Sequence, residues 1–443
     1  MNAHAIRTNI KDGLYWRPFT PEMKKADHNR LLCLYPDMRY QVFQGFGGAF
    51  TEAAGATWLT LDPAARDECI KAYFGGEGLR YTLGRAHMGS CDFALNNYAC
   101  VDDPEDEKLT GFSMERDETY ILPMILRAQA VAGREIRLLL SPWSPPAFMK
   151  SNGDMNGGGK LLETYAQRWA RCIAEYVRRY REAGACVSMI TVQNEPEAKQ
   201  TWDSCLYTAR EEGLFVSDYL GPALERAGLR DVKILVWDHN KERMLRRTTE
   251  TLAAGQAGRY VSGVAFHWYT GDHFENVAMT ARRFPELTLL FTEGCVEFSR
   301  FSRAGQTDNA EMYAHDILGN LNAGAHGVID WNLLLNAQGG PNHQRNYCQA
   351  PLMANASGGV ERKASYYYIG HFSRFIRPGA VRIGISRYSA KLEAAAFQNT
   401  DGSIAVVILN RHDTPMDAFV EMPNGEARHI SLKAHEIVSV VLE

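Results

Sequence analysis

Met189-Ile190-Thr191-Val192-Gln193-Asn194-Glu195-Pro196 is an apolar run that stops abruptly at amides, a carboxylate and a proline. Its first residues suit a buried strand and Pro196 cannot donate to a ladder, so the strand ends at Glu195. A carboxylate then stands at a strand's carboxyl edge. Alone it would pass for a loop-surface residue. Further along, Leu287-Thr288-Leu289-Leu290-Phe291-Thr292-Glu293-Gly294 repeats the design, an apolar run followed by Glu293 and a backbone-permissive glycine. Two carboxylates at the ends of two buried strands are the groups that acid, base and nucleophilic work at an acetal carbon requires.

Strand-like runs alternate with amphipathic helical runs on both sides of these two. The expected strands are the glycine-rich stretch 44–52, then 79–88, 135–140, 187–192, 232–237, 261–266, 288–291 and 327–330. Helical patterns cover 59–74, 118–132, 162–183, 208–227 and 310–323, with Gly75-Gly76 stopping the first. Eight strand–helix repeats predict a (β/α)8 TIM barrel with its chemistry at the carboxyl ends of the strands. Polar and aromatic residues end nearly every strand, which disfavours a doubly wound sheet with a single crevice.

Outside the barrel the pattern changes. Short strands at 391–397, 404–409, 418–422, 428–432 and 437–442 are separated by turns such as Pro423-Asn424-Gly425, with no helix between them. They predict a β-sandwich. Residues 31–43, read as a hairpin broken at Pro36-Asp37, are expected to join it, while residues 1–30 read as a surface lead-in. The expected division is therefore 1–43 as lead-in and sandwich strands, 44–375 as the barrel and 376–443 as the C-terminal sandwich.

The totals exclude several functions. The 443 residues are 45% hydrophobic and 23% charged, with 48 basic and 52 acidic side chains, so nothing draws the chain to nucleic acid or to an anionic membrane. No run of about 18 apolar residues occurs, and the first residues lack a leader's apolar core, which predicts a cytoplasmic protein without stable membrane insertion. Nine scattered cysteines with no C-x-x-C pair are expected to be reduced and mostly buried. Gly45-Phe46-Gly47-Gly48-Ala49-Phe50 lacks the glycine spacing of a nucleotide fingerprint, and Gly157-Gly158-Gly159-Lys160-Leu161 lacks that of a phosphate loop. No cofactor is expected. The 13 histidines show no metal-ligand spacing.

If the barrel closes, Glu195 and Glu293 face each other across one mouth. Their order suggests Glu195 as general acid/base and Glu293 as nucleophile, with Asn194 beside them to hold a sugar 2-hydroxyl. Trp143, Trp331 and Tyr269 end strands and offer flat faces to a sugar ring; Trp268 is equally placed for core packing. Asp92, with nearby Arg85, either binds sugar hydroxyls or forms a buried ion pair. His267 either tunes the nucleophile or supports the site. Glu197 is expected in solvent and Cys295 as a packed thiol.

Gly45-Phe46-Gly47-Gly48-Ala49, Ser90-Cys91-Asp92-Phe93, Ser141-Pro142-Trp143, Asn194-Glu195-Pro196 and Trp331-Asn332 with Gly339-Gly340-Pro341-Asn342 together resemble glycoside hydrolase family 30, in its glucosylceramidase-like branch. The resemblance runs from about residue 40 to the end. It implies a retaining β-glycosidase, a barrel with an attached sandwich, Glu195 as acid/base and Glu293 as nucleophile. It also implies that Asp92, Trp143, Asn194, Tyr269, Trp331 and Asn346 line the sugar site. The substrate expected is a small carbohydrate or glycoside, hydrolysed as an exo-β-glucosidase would. An endo-β-1,6-glucanase or a β-xylosidase of the same family, and a catalytically silent carbohydrate-binding barrel, stay open, as does the oligomeric state.

Overall fold

The computed structural model describes residues 2–301 and 305–443. Met1 of the expected lead-in and residues 302–304 of the expected barrel segment lie outside the described residues. Strands Gly45–Phe50, Leu83–Met88, Arg137–Pro142, Val187–Thr191, Lys233–Asn240, Val261–His267, Thr288–Glu293 and Gly327–Asn332 pair in parallel and close a barrel in that order. Among the described residues, no helix is long and apolar enough to cross a membrane.

One layer of the barrel interior is apolar: Leu83, Leu139, Met189, Leu235, Ala265, Leu290 and Ile329, one from each of seven strands. In the first strand the corresponding register position is Gly47, aligned with Leu83 on one side and Ile329 on the other. A Cβ there would lie 2.3 Å from the Leu83 carbonyl oxygen. This close approach explains the glycine-rich first strand. Two residues further along most strands, toward the mouth, the layer turns polar and carries Arg85, Ser141, Thr191 and His267.

The second domain is a ten-stranded sheet built from both ends of the chain. Strands Ala3–Asn9 and Leu14–Phe19 lie at one end, and Ala3–Asn9 pairs with Glu436–Leu442. Its two halves enclose a separate core containing Leu34, Ile383, Ile408, Val420, Ile430 and Val440. Two expectations need correction here. Residues 3–9 and 14–19 are strands, not lead-in, because pairing satisfies their backbone even where the side chains are polar. Residues 31–43 are not a hairpin. Leu31–Val42 is one strand whose register against Val381–Arg387 jumps between Arg39 and Tyr35. Pro36 lacks an N–H, and the skipped residues are accommodated as a bulge rather than a reversal.

The two domains are joined across buried groups. His371, on the helix Ala364–Ser373, bonds Ser439 at 2.8 Å and Thr8 at 2.9 Å in the sandwich. Burial pushes this imidazole down to about 3, so it stays neutral across the physiological range.

Asp330 in the eighth strand is buried, with one carboxyl oxygen unpartnered. Burial raises it to about 8. An unfolded aspartate ionises near 3.9, so the unfolded chain releases this proton first and stability falls as pH rises from there to about 8. Asp330→Asn is therefore expected to gain stability relative to wild type progressively between pH 5 and pH 8.5, by up to a few kcal/mol. Urea unfolding at several pH values checks this, and a difference independent of pH contradicts it.

Candidate active site

The mouth of the barrel holds a cavity of about 230 Å³ lined by Asp92, Phe93, Trp143, Asn194, Glu195, Gln200, Trp202, His239, Asn240, Tyr269, Glu293, Cys295, Glu297, Arg300, Trp331 and Asn346. Glu195 and Glu293 both reach it. One oxygen of each, with one ring nitrogen of His267, all lie within 4.8 Å of one another. Carboxyl pairs that act by double displacement stand about 5–5.5 Å apart, whereas inverting pairs need about 6.5–9.5 Å to admit a water. With one oxygen of each carboxyl within 4.8 Å of the other, the pair stands nearer the first arrangement than the second.

The hub beneath the pair is Arg85. It projects from a strand that is buried along its whole length, and its side chain is fully buried. It donates to Glu293 Oε2 at 2.6 Å, Asp238 Oδ2 at 2.7 Å, Asn194 Oδ1 at 2.9 Å and Ser141 Oγ at 3.1 Å. Desolvation works against its charge, but Asp238 and Glu293 more than compensate and strengthen its hold on the proton. Asp92 is therefore not its partner. The short aspartate receives Asn346 Nδ2 at 3.2 Å instead, and burial, reinforced by the nearby Glu293 charge, keeps its carboxyl well above the ordinary range.

Asp238, two residues before the end of the fifth strand, ties the floor together. Besides Arg85, it accepts Thr191 Oγ1 and Thr292 Oγ1, each at 2.7 Å, and faces His267 Nε2 at 3.1 Å. Burial alone would favour its neutral form; Arg85 and these bonds reverse that and hold it ionised far below the usual carboxylate range. Trp237, Asp238 and Glu195 all have positive φ (76°, 46° and 46°), and the Glu195 amide donates to the Asp238 carbonyl at 2.9 Å. Non-glycine residues in this region cost about 1–3 kcal/mol each, which the packed floor sustains.

His267 sits between Asp238 and Glu195, with Nδ1 3.2 Å from Glu195 Oε1. It contacts Glu195 directly, and a ring nitrogen also lies within 4.8 Å of a Glu293 oxygen, close enough for its charge to act on both carboxyls. Desolvation disfavours a charged ring here, yet Glu293, Asp238 and Glu195 together raise it to about 9. Glu195 responds in the opposite sense: burial would raise it, but His239, His267 and Gln200 bring it down to about 2. Glu293 is raised by burial and by the Glu195 charge, against the pull of His267 and Arg85. Its other oxygen accepts the Tyr269 hydroxyl at 2.9 Å. Two carboxylates and a histidine this close can also present ligands to a cation. Here Arg85 and the raised His267 already supply positive charge.

Trp143 and Trp331 form the aromatic wall, stacked at 5.4 Å and 22°, with the Arg85 guanidinium 4.7 Å from the Trp143 ring. Trp268 turns away and packs on Tyr313, which makes it core. Asn346 and Asp92 close the far side. Cys295 is a buried thiol 3.5 Å from the Tyr269 hydroxyl. Glu197 is paired with Arg243 and Arg247 rather than left in solvent. All nine cysteines are unpaired and seven are buried.

The geometry accords with the comparisons. Residues 43–376 match the glycosyl hydrolase family 30 TIM-barrel domain and residues 379–440 its beta sandwich domain. The chain belongs to family 30. Within that family it is 34% identical over 405 residues to lysosomal acid glucosylceramidase of Mus musculus, covering 87% of this chain and 78% of that one. It is 28% identical over 418 residues to endo-1,6-beta-D-glucanase neg1 of Aspergillus fumigatus, covering 87% and 82%. Among solved structures, SrfJ from Salmonella typhimurium superposes with a TM-score of 0.96 at 38% identity over the full length of both chains. An endo-beta1,6-glucanase superposes at 0.89 with 26% identity over 100% and 99%. A family 30 chain of this kind is a glycoside hydrolase acting on carbohydrate.

The sequence brought nine residues to this site. It did not anticipate the hub: Arg85 was placed with Asp92, and Asp238 had no role. The signal was present in Leu83-Gly84-Arg85-Ala86-His87-Met88, where one charged residue stands in an otherwise buried strand and so needs buried partners. Gln200, Trp202 and Arg300 lie on loops and Glu297 on the two-residue strand Val296–Glu297, and no spacing in the sequence marks them.

Proposed function

We propose that the chain is a retaining exo-β-glucosidase working by double displacement, with Glu293 as nucleophile and Glu195 as acid/base. The observation that carries this reading is the approach of one oxygen of each carboxyl to within 4.8 Å of the other, in a cavity of about 230 Å³. In the first step Glu293 attacks the anomeric carbon and the glycosidic bond breaks. The leaving oxygen takes a proton from Glu195. In the second, Glu195 removes a proton from water, which attacks the same carbon and releases Glu293. Arg85 and Tyr269 each bond one Glu293 oxygen and so fix the carboxylate's orientation.

A resting Glu195 at about 2 holds no proton at neutral pH, so the proton has to be stored nearby. We assign that store to His267, raised to about 9 and 3.2 Å from Glu195 Oε1. As the leaving oxygen gains negative charge, the proton passes from imidazolium to Glu195 and on to that oxygen. His267 is left neutral against Asp238. The three groups titrate as one unit, not as separate sites.

The cavity suits about one sugar ring, which favours removal of a terminal residue over cleavage within a polymer. Asp92 with Asn346, and the stacked tryptophans, supply hydrogen bonds and an apolar face for that ring. Glucose is supported by the names of both the glucosylceramidase and the endo-1,6-beta-D-glucanase relatives, and the higher identity to the former supports the exo reading. The cavity lining also carries Gln200, His239 and the Arg300–Glu297 ion pair, which supports a polar aglycone rather than a lipid. Unpaired thiols, including the half-buried Cys33 and Cys186, support a reducing, cytoplasmic setting. An endo-acting β-1,6-glucanase is the second reading, favoured by the full-length likeness to such an enzyme.

Aryl β-glucoside, β-xyloside and β-galactoside, together with a linear β-1,6-glucan, separate these readings. The expected result is preference for the glucoside and glucose as the sole early product. Oligosaccharides released early from the glucan would transfer the assignment to the endo-glucanase, and binding without turnover would make the chain a carbohydrate receptor.

A further inference from the structure

His239 lines the cavity at the barrel mouth, and its Nδ1 lies 3.7 Å from Glu195 Oε1, too far for a direct hydrogen bond. The chain is turned immediately before it. Trp237 and Asp238 have positive φ, and the ladder to the sixth strand pairs Trp237 with Ala265 and His239 with Phe266, skipping Asp238. Strain of this kind persists where the surrounding structure holds a side chain for use rather than for pairing. The His239 ring lies 4.9 Å from the Trp237 ring, inclined at 34°, which fixes its plane.

The two ring nitrogens differ. Nδ1 is buried without a partner, while Nε2 makes no hydrogen bond among the described residues and is not buried. Burial holds the ring below its ordinary range, against the Glu195 charge, so at pH 7 it is neutral and carries one hydrogen. An ionised Glu195 offers Nδ1 only lone pairs. The hydrogen therefore belongs on Nδ1, and Nε2 is left as a bare acceptor. Two donors of the lining are committed elsewhere: Gln200 Nε2 to Glu195 Oε2 at 3.3 Å, and Arg300 Nη1 to the Tyr269 carbonyl and Glu297, each at 3.0 Å. An acceptor open to the cavity selects a ligand that brings a donor.

Glu195 hands its proton to the leaving oxygen, so groups packed against Glu195 meet the leaving group rather than the sugar held by Asp92 and Asn346. Gln200 and His239 are both so placed, and Trp202, two residues beyond Gln200, lines the same cavity and offers a flat ring to a second sugar. We propose that His239 is a specificity-determining residue whose Nε2 accepts a hydrogen bond from a hydroxyl of the leaving group, so that the preferred aglycone is itself a sugar. This rests on the retaining glucosidase reading above and adds to it the chemical class of the leaving group.

The test compares kcat/KM for diglucosides linked β-1,3, β-1,4 and β-1,6 with that for ethyl β-glucoside, whose leaving group also needs a proton but carries no hydroxyl. Wild type is expected to favour the best diglucoside by at least about tenfold. His239→Phe keeps a ring on Trp237 without an acceptor and should lower that ratio at least about fivefold, mostly through KM. His239→Gln, which returns an amide oxygen near the position of Nε2, should restore most of it. Any change at Glu195, or in the fraction of folded protein, is common to both substrates and cancels in the ratio. A ratio equal in wild type and His239→Phe, or a loss that His239→Gln leaves unrestored, overturns the proposal, and so does a wild type that favours ethyl β-glucoside. Wild type that cleaves none of the four glucosides overturns the glucosidase reading itself, and the proposal falls with it.

Discussion

Glu293→Ala is expected to lower kcat/KM on an aryl β-glucoside by at least about four orders of magnitude, because a double displacement without its nucleophile has no first step. The loss should be in turnover more than in binding, since the rest of the cavity lining, Asp92, Trp143, Trp331 and Asn346 included, stays in place. Azide placed in the vacated space can attack the anomeric carbon directly. A single displacement inverts, so the expected product is the α-glucosyl azide. The fold should survive because Arg85 keeps Asp238 at 2.7 Å, although the loss of one buried partner will cost stability. Near-wild-type turnover in this variant would end the assignment.

Glu195→Ala is expected to act differently. Its effect should depend on the leaving group: about 10²–10⁴-fold for an alkyl or sugar aglycone that needs a proton, and far less in the first step for a dinitrophenyl glucoside that does not. Azide should again rescue turnover, now by attacking the Glu293 ester, and the product should be the β-glucosyl azide. The pH profile carries a second signature. His267 is raised to about 9, so wild-type activity on a poor leaving group should fall as pH rises through that value and the stored proton is lost. In the Glu195→Ala variant on the dinitrophenyl substrate this alkaline limb should vanish. An alkaline limb unchanged by the substitution would remove His267 from the proton path.

These two variants separate what could be read along the chain from what could not. The strand ends at Glu195 and Glu293 were legible because an apolar run, a carboxylate and a breaker residue form a local pattern. Their convergence within 4.8 Å follows from closing eight such repeats. The aromatic wall of Trp143 and Trp331 was legible for the same reason. Local pattern was silent on partners. Arg85 is within reach of Asp92 along the sequence, but its fork is filled across the barrel by Asp238 and Glu293, from strands far away in the chain. Nor did hydrophobic alternation mark residues 3–9 and 14–19, since a sheet satisfies backbone groups whatever the side chains. The bulge at Pro36–Met38 resembles a turn in sequence because both place a proline where a ladder bond is missing.

The most direct measurement is the mass of the intact protein and its peptides after incubation with a 2-deoxy-2-fluoro-β-glucoside bearing an activated leaving group. The fluorine slows both steps and the leaving group restores only the first, so an ester intermediate accumulates. One fluoroglucosyl unit on the peptide carrying Glu293, released slowly as activity returns, is the result expected of two opposed carboxyls working in sequence on one sugar. An adduct on Glu195 instead, or substrate consumed with no adduct and the sugar released first as the α anomer, would contradict it.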